Sequence, residues 1–383
     1  MTDLSEPWLP LNGVRVVDFS MFVPGPFASS ILADLGADVI KVEPPGGGTG
    51  PLPRPGGDPG RSYVPVQFET ENRNKRSLAL DLKNADAKAV VAKLVERAHV
   101  VVEGFRPGVA KRLGIDYETL RRHNGRLVYC SISGYGQTGP WRARPGHDVN
   151  YVAAAGGLAF PGQWLKPPAR SSLPVADMAG GAFAATAILA ALREGKGGYL
   201  DLSLFEAAFF LTAMRHGLDA EVDARAHLFP VNDVFETADG QRLTLGILEE
   251  HFWQNFVRIV PELGDARFAT DAKRRANGDA LSRELERVLG TKTAAEWLRL
   301  CDENDVPVDL CVTPGEAAKH PQLVERKATE RGHAKFPVWA NGRRAGSIRH
   351  GTPKLGEHSR EILVELGFED GEIADLRKKG AVL

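Results

Sequence analysis

The feature that most constrains this chain is the strand–helix–strand pattern at its start. Val14-Arg15-Val16-Val17-Asp18-Phe19 is a short apolar run that reads as a buried strand. Pro24-Gly25-Pro26 breaks it, and Phe27 to Leu35 places apolar residues at helical spacing, with Gly36 positioned to cap. Asp38-Val39-Ile40-Lys41-Val42-Glu43 is the next strand. A unit of this kind belongs to a parallel sheet with right-handed crossovers. Strands over Leu78–Leu82, Val100–Glu103 and Arg126–Ile132, with a helix from Ala85 to Arg97, continue the alternation. No GxGxxG follows the first strand, so no dinucleotide site is predicted.

At 383 residues the chain is long for a single core. A charged, irregular stretch over 215–228 precedes a change in pattern. Phe235 to Leu245 reads as a hairpin turning at Asp239-Gly240, followed by helices over 250–260, 278–289 and 293–303 and a strand at Val308–Val312. The expected organisation is an α/β large domain over 1–205, a linker over 206–228, a small α+β domain over 229–325, and a segment 326–383 returning to the large domain. Residues 44–60 are rich in Gly and Pro and read as a long loop.

The formal net charge of −1 provides no field for nucleic acid. Cys130, Cys301 and Cys311 form neither a CxxC pair nor a metal-ligand set, which fits a reducing compartment. The N-terminus lacks an apolar run and no stretch approaches the ~20 apolar residues of a membrane span. The expectation is a cytoplasmic enzyme with no metal and no membrane partner.

Two groups of residues suggest chemistry. Lys41, Lys75, Arg76, Arg106 and Arg112 stand at the ends of predicted elements, where ligands of open α/β sheets lie. With the glycine loop Gly134-Tyr135-Gly136-Gln137-Thr138-Gly139, they suit a phosphorylated ligand. Downstream, Gly146-His147-Asp148-Val149-Asn150-Tyr151 opens an apolar segment, and Asp177 follows His147 by thirty residues, at the start of a run of small residues. A histidine and a carboxylate are both suited to acid–base work, and two such groups on opposite faces of a carbon can move a proton from one side to the other.

These motifs together resemble the family III CoA-transferases and, within them, the α-methylacyl-CoA racemases. The resemblance runs over most of the chain and is carried by Pro24-Gly25-Pro26-Phe27, Ala33 to Glu43, Lys75-Arg76-Ser77, Phe105-Arg106-Pro107-Gly108, Gly134 to Pro140, Gly146 to Tyr151 and Gly195-Lys196-Gly197. It implies a Rossmann-like large domain, a smaller domain, an interlocked homodimer, and coenzyme A as part of the substrate with no redox or metal cofactor. Lys41, Arg106 and Arg112, with Gly134, Tyr135 and Gly136, are then expected along the coenzyme. The racemase pattern implies that His147 and Asp177 exchange the α-proton of a 2-methylacyl-CoA through an enolate. Glu249 of the small domain would orient His147, and the Asp148 backbone N–H would meet the enolate oxygen. The alternative within the same family is a CoA-transferase that moves coenzyme A between carboxylic acids through an aspartyl-CoA thioester at Asp177. Trp164 is a candidate lining residue for the acyl group.

Overall fold

The computed structural model describes residues 6–46, 56–219, 221–222 and 224–383; positions 47–55 of the Gly/Pro-rich stretch lie outside them. Two compact units emerge. The first comprises Met1–Ala155, Ser172–Leu211 and Gln322–Leu383, and the second Gly156–Ser171 and Thr212–Pro321.

The first unit is built on a six-stranded sheet of β1 (Arg15–Asp18), β2 (Asp38–Glu43), β3 (Lys75–Ala79), β4 (Val100–Glu103), β5 (Val128–Ser133) and β6 (Gly198–Ser203). The strands lie in the order β3-β2-β1-β4-β5-β6, and every pairing is parallel. This is the doubly wound order, with its switch point between the carboxyl ends of β1 and β4. Successive strand residues alternate between two cores, as the period of two requires. Val17, Val101 and Tyr129 face a core shared with the helices Ala87–Glu96, Ser359–Glu365 and Asp370–Lys378. Val16, Val100, Val102 and Cys130 face the helices Pro24–Asp34 and Val175–Glu194.

β3 begins three residues before the expected Leu78. Lys75 and Ser77 are fully buried in it, because their polar ends find partners inside the unit: Lys75 Nζ lies 3.2 Å from Asp18 Oδ2, and Ser77 Oγ donates to Glu43 Oε1 at 2.8 Å. β6 pairs with β5 alone and leaves every other residue half-covered, so no continuous apolar run marks it.

The helix Val175–Glu194 has the length and apolarity of a membrane-crossing segment. Its small residues have a local explanation. A Cβ at Gly181 would fall 2.7 Å from Pro24 O and 2.8 Å from Phe27 Cδ1, and one at Gly180 would strike Leu204. The glycines therefore permit close approach to the helix Pro24–Asp34 and to the segment after β6.

In the second unit β7 (Asn232–Glu236) and β8 (Arg242–Gly246) form an antiparallel hairpin, and β9 (Val308–Leu310) pairs with β8. Gly240 adopts φ +73° in the turn, where Asp239 Oδ1 accepts the Thr237 hydroxyl at 2.6 Å. The helices Glu250–Ile259, Gly278–Leu289 and Ala294–Glu303 cover the sheet around Trp253, Phe256 and Trp297. Trp164, a candidate acyl-site residue, is a packing residue of this unit. Its backbone N–H donates to Asp233 Oδ2 at 2.7 Å and its indole N–H to Asp279 Oδ1 at 2.9 Å, with the ring seated over Gly278.

Candidate active site

Asp177 stands in the first turn of the helix Val175–Glu194. The residue before that helix is Pro174, which has no side-chain group to cap it. The first-turn N–H groups, which have no carbonyl one turn behind them, are satisfied from a distant part of the chain: Asp148 Oδ1 accepts from Ala176 N–H at 2.7 Å and from Asp177 N–H at 3.2 Å. Asp148 is buried and thereby fixes the backbone of Asp177. A helix N-terminus by itself favours the carboxylate form. Here burial, followed by the neighbouring Asp148 charge, prevails and raises the Asp177 carboxyl to about 7. The group is thus a much stronger base and nucleophile than a surface aspartate, and half of it is ionised near neutrality.

His147 is the exposed residue that precedes the helix Asp148–Ala154, and its N–H donates to Asn150 Oδ1 at 3.0 Å. Asp148 opens the same helix, so its own backbone N–H has no carbonyl one turn behind it in that helix. Glu249 belongs to the second unit, exposed at the N-terminal boundary of the helix Glu250–Ile259.

Tyr151 organises the surroundings. Its hydroxyl donates to Gly146 O at 2.6 Å. A Cβ at Gly134 would sit 2.5 Å from the Tyr151 oxygen, and one at Gly146 would sit 2.7 Å from its ring, so both glycines are required by this tyrosine. Burial, then Asp177, raises the Tyr151 phenol to about 12, while Arg106 pulls it the other way. Tyr151, Asp177, Asp148, Tyr135 and Arg106 therefore share one electrostatic neighbourhood. Tyr135 packs its ring 5.2 Å from Tyr151, 5.3 Å from Trp141 and 5.8 Å from Phe205. Gly136 adopts φ +84°, a conformation that favours glycine.

The five basic residues divide into two groups. Lys41, expected beside the coenzyme, is fully buried: its ammonium donates to Asp58 Oδ2 and to Ser20 O, each at 3.0 Å. Lys75 is buried against Asp18, with burial lowering the amine to about 8. Arg76 pairs with Asp38, Glu361 and Glu365. Arg106 and Arg112, with neighbouring Lys111, are exposed and make no ion pair among the described residues. An unpartnered carboxylate in the interior is costly, so Lys41→Met is expected to destabilise the protein by ~3–5 kcal/mol, with partial recovery when Asp58→Asn is added. Urea unfolding measures this. A stable Lys41→Met protein with a selective loss of CoA affinity would instead place the lysine on a phosphate.

The role of the Asp148 side chain was not marked by any local signal, because the group it caps is 28 residues away. Gly146 and Gly134, each close to a tyrosine that needs the space, are the nearest thing to one.

A family model described as CoA-transferase family III matches residues 11–359. The acetyl-CoA:oxalate CoA-transferase of Acetobacter aceti is 34% identical, over 97% of this chain and 99% of that protein. The alpha-methylacyl-CoA racemase of Homo sapiens is 30% identical, over 96% of each. Among solved structures, a CAIB/BAIF family protein from Brucella suis superposes with a TM-score of 0.80 at 28% identity, covering 93% of this chain and 99% of that one.

Proposed function

This chain belongs to CoA-transferase family III, and on that premise we propose that it moves coenzyme A between carboxylic acids with Asp177 as the covalent carrier. The observation that carries this reading is the Asp177 carboxyl itself, buried, held by Asp148 and raised to about 7. It is complete within one unit and needs no second base. An Asp177 oxygen attacks the donor thioester carbonyl and the CoA thiolate leaves, giving a mixed anhydride. The thiolate then attacks the aspartyl carbonyl of that anhydride, releasing the donor acid and leaving an aspartyl-CoA thioester. The acceptor carboxylate attacks this thioester to form a second anhydride, and the thiolate takes the acceptor acyl group, restoring Asp177. Arg106 and Arg112 meet the coenzyme phosphates, and the Gly134–Gly136 loop lies along the coenzyme.

A second reading, two-base racemisation at the α-carbon, is favoured by one observation: His147 adjoins Asp148, whose carboxylate grips the Asp177 backbone. The likeness to the human racemase agrees with it. Incubating the protein with one 2-methylacyl-CoA in D₂O, with and without a free carboxylic acid, separates the two. Transfer that depends on the acid, with no deuterium at the α-carbon and with hydroxylamine trapping of a CoA adduct on Asp177, is the expected result. Deuterium incorporation without any acid would replace the transferase reading with the racemase one.

A homodimer is part of the same proposal. The helix Leu204–Thr212 leaves Phe209 50% and Phe210 68% exposed, an apolar surface of the kind a second copy covers. Light scattering at micromolar concentration is expected to give twice the mass of 41.5 kDa; a monomer would remove this part.

A further inference from the structure

Glu103 is the last residue of β4 and is 2% exposed. The chemistry proposed above makes no use of it. Glu103 stands in register with Ser131 of β5, and Ser131 in register with Asp201 of β6. In a parallel sheet residues in register share a face, so three polar side chains form a row at the carboxyl edge.

Each end of the row holds a loop. Glu103 Oε2 accepts the Phe105 N–H at 2.7 Å, immediately before Arg106. The two Asp201 oxygens accept the Gln137 N–H at 3.0 and 3.2 Å, inside the glycine loop. Between them, Ser131 Oγ accepts from the Gln137 side-chain amide at 2.9 Å. The Ser131 hydroxyl also supports the ionised form of Glu103, against the burial that raises that carboxyl to about 7. The path from one loop to the other is therefore Gln137, Ser131, Glu103, Phe105.

We propose that Glu103 is a positioning residue which, through Ser131, locks the Arg106 loop and the Gly134–Gly139 loop at one fixed spacing, and that coenzyme A is bound across that spacing. The identity of the ligand rests on the CoA-transfer reading; the coupling of the two loops does not. A carboxylate at position 103 holds the Phe105 N–H and lies in register beside Ser131, which in turn holds the Gln137 side chain, and a buried polar row of this kind favours a single loop geometry.

The test uses amide hydrogen exchange by mass spectrometry and calorimetric titration with coenzyme A, on the full chain at pH 8, where Glu103 is ionised. In Glu103→Ala, exchange is expected to quicken about tenfold both at 105–108 and at 134–139, and CoA affinity to fall about tenfold. Glu103→Gln retains an acceptor for the Phe105 N–H, so protection at 105–108 returns while 134–139 stays loosened. Ser131→Ala breaks the link alone and is expected to loosen 134–139 with 105–108 unchanged; it decides the matter if Glu103→Ala does not fold. Unchanged exchange at 134–139 in both Glu103→Gln and Ser131→Ala overturns the coupling. Loosened loops with unaltered CoA affinity overturn the binding role. A wild-type protein that takes up no coenzyme A overturns the CoA assignment and leaves the exchange result to stand by itself.

Discussion

Asp177→Asn is expected to abolish turnover, by about 10⁴-fold or more, while making the folded protein more stable. On the CoA-transfer reading, the loss of rate follows from removing the group proposed to carry the acyl and CoA fragments. The gain in stability follows from the same environment that makes the group reactive. Burial and Asp148 raise the carboxyl from 3.8 to about 7 in the folded state, so between those values the folded chain holds a proton that the unfolded chain has released. Stability from this group is fully present below pH ~4 and is lost as pH rises through 7, where ionising it in place costs on the order of 2–4 kcal/mol. Asparagine removes that penalty. The two proteins should therefore unfold at similar denaturant concentrations at pH 4, and the variant should be the more resistant at pH 8. A variant less stable than the parent at pH 8 would mean that Asp177 is a structural group and that the environment described for it is wrong. The combination of lost rate and gained stability is the mark of a site strained for function.

How much of this was legible in the sequence depends on the range of the interaction. The runs Val14–Phe19, Asp38–Glu43 and Val100–Glu103 are buried on both faces and announce a parallel sheet, and six parallel strands are what the first unit contains. The Asp239-Gly240 turn and the amphipathic helix Gly278–Leu289 are local patterns too. Lys41 and Lys75 read in the sequence as cations at the ends of elements, and only the folded chain brings Asp58 and Asp18 against them. Gly156–Ser171 joins the second unit because Trp164 is held by Asp233 and Asp279, more than sixty positions away. The motif from Gly146 to Tyr151 pointed to the neighbourhood of Asp177 through its histidine. His147 attracts the eye, whereas the Asp148 side chain makes the contact with the Asp177 backbone.

That contact leads to the second large effect, which concerns pH. If the Asp177 carboxylate is the attacking group, kcat/KM for the acyl-CoA donor rises with pH and levels off above a midpoint near 7, because the free enzyme must first lose the Asp177 proton. Asp148→Asn keeps an amide oxygen where Asp148 Oδ1 now accepts the Ala176 and Asp177 N–H groups, but deletes the charge that opposes ionisation of Asp177. The midpoint is expected to move to lower pH by roughly one unit, and to stay above 3.8 because burial, the larger cause, remains. At pH 5.5 the variant therefore has a larger ionised fraction than the parent. At pH 9 both are fully ionised, and the variant is the slower, since a less basic carboxylate is a weaker nucleophile. Asp148→Ala provides the contrast: it removes the charge and the cap together, so the same shift comes with a loss of ~1 kcal/mol from the uncapped start of the helix Val175–Glu194. A rate profile whose midpoint is the same in Asp148→Asn as in the parent would show that the titrating group is not Asp177, and His147 would become the group to replace next.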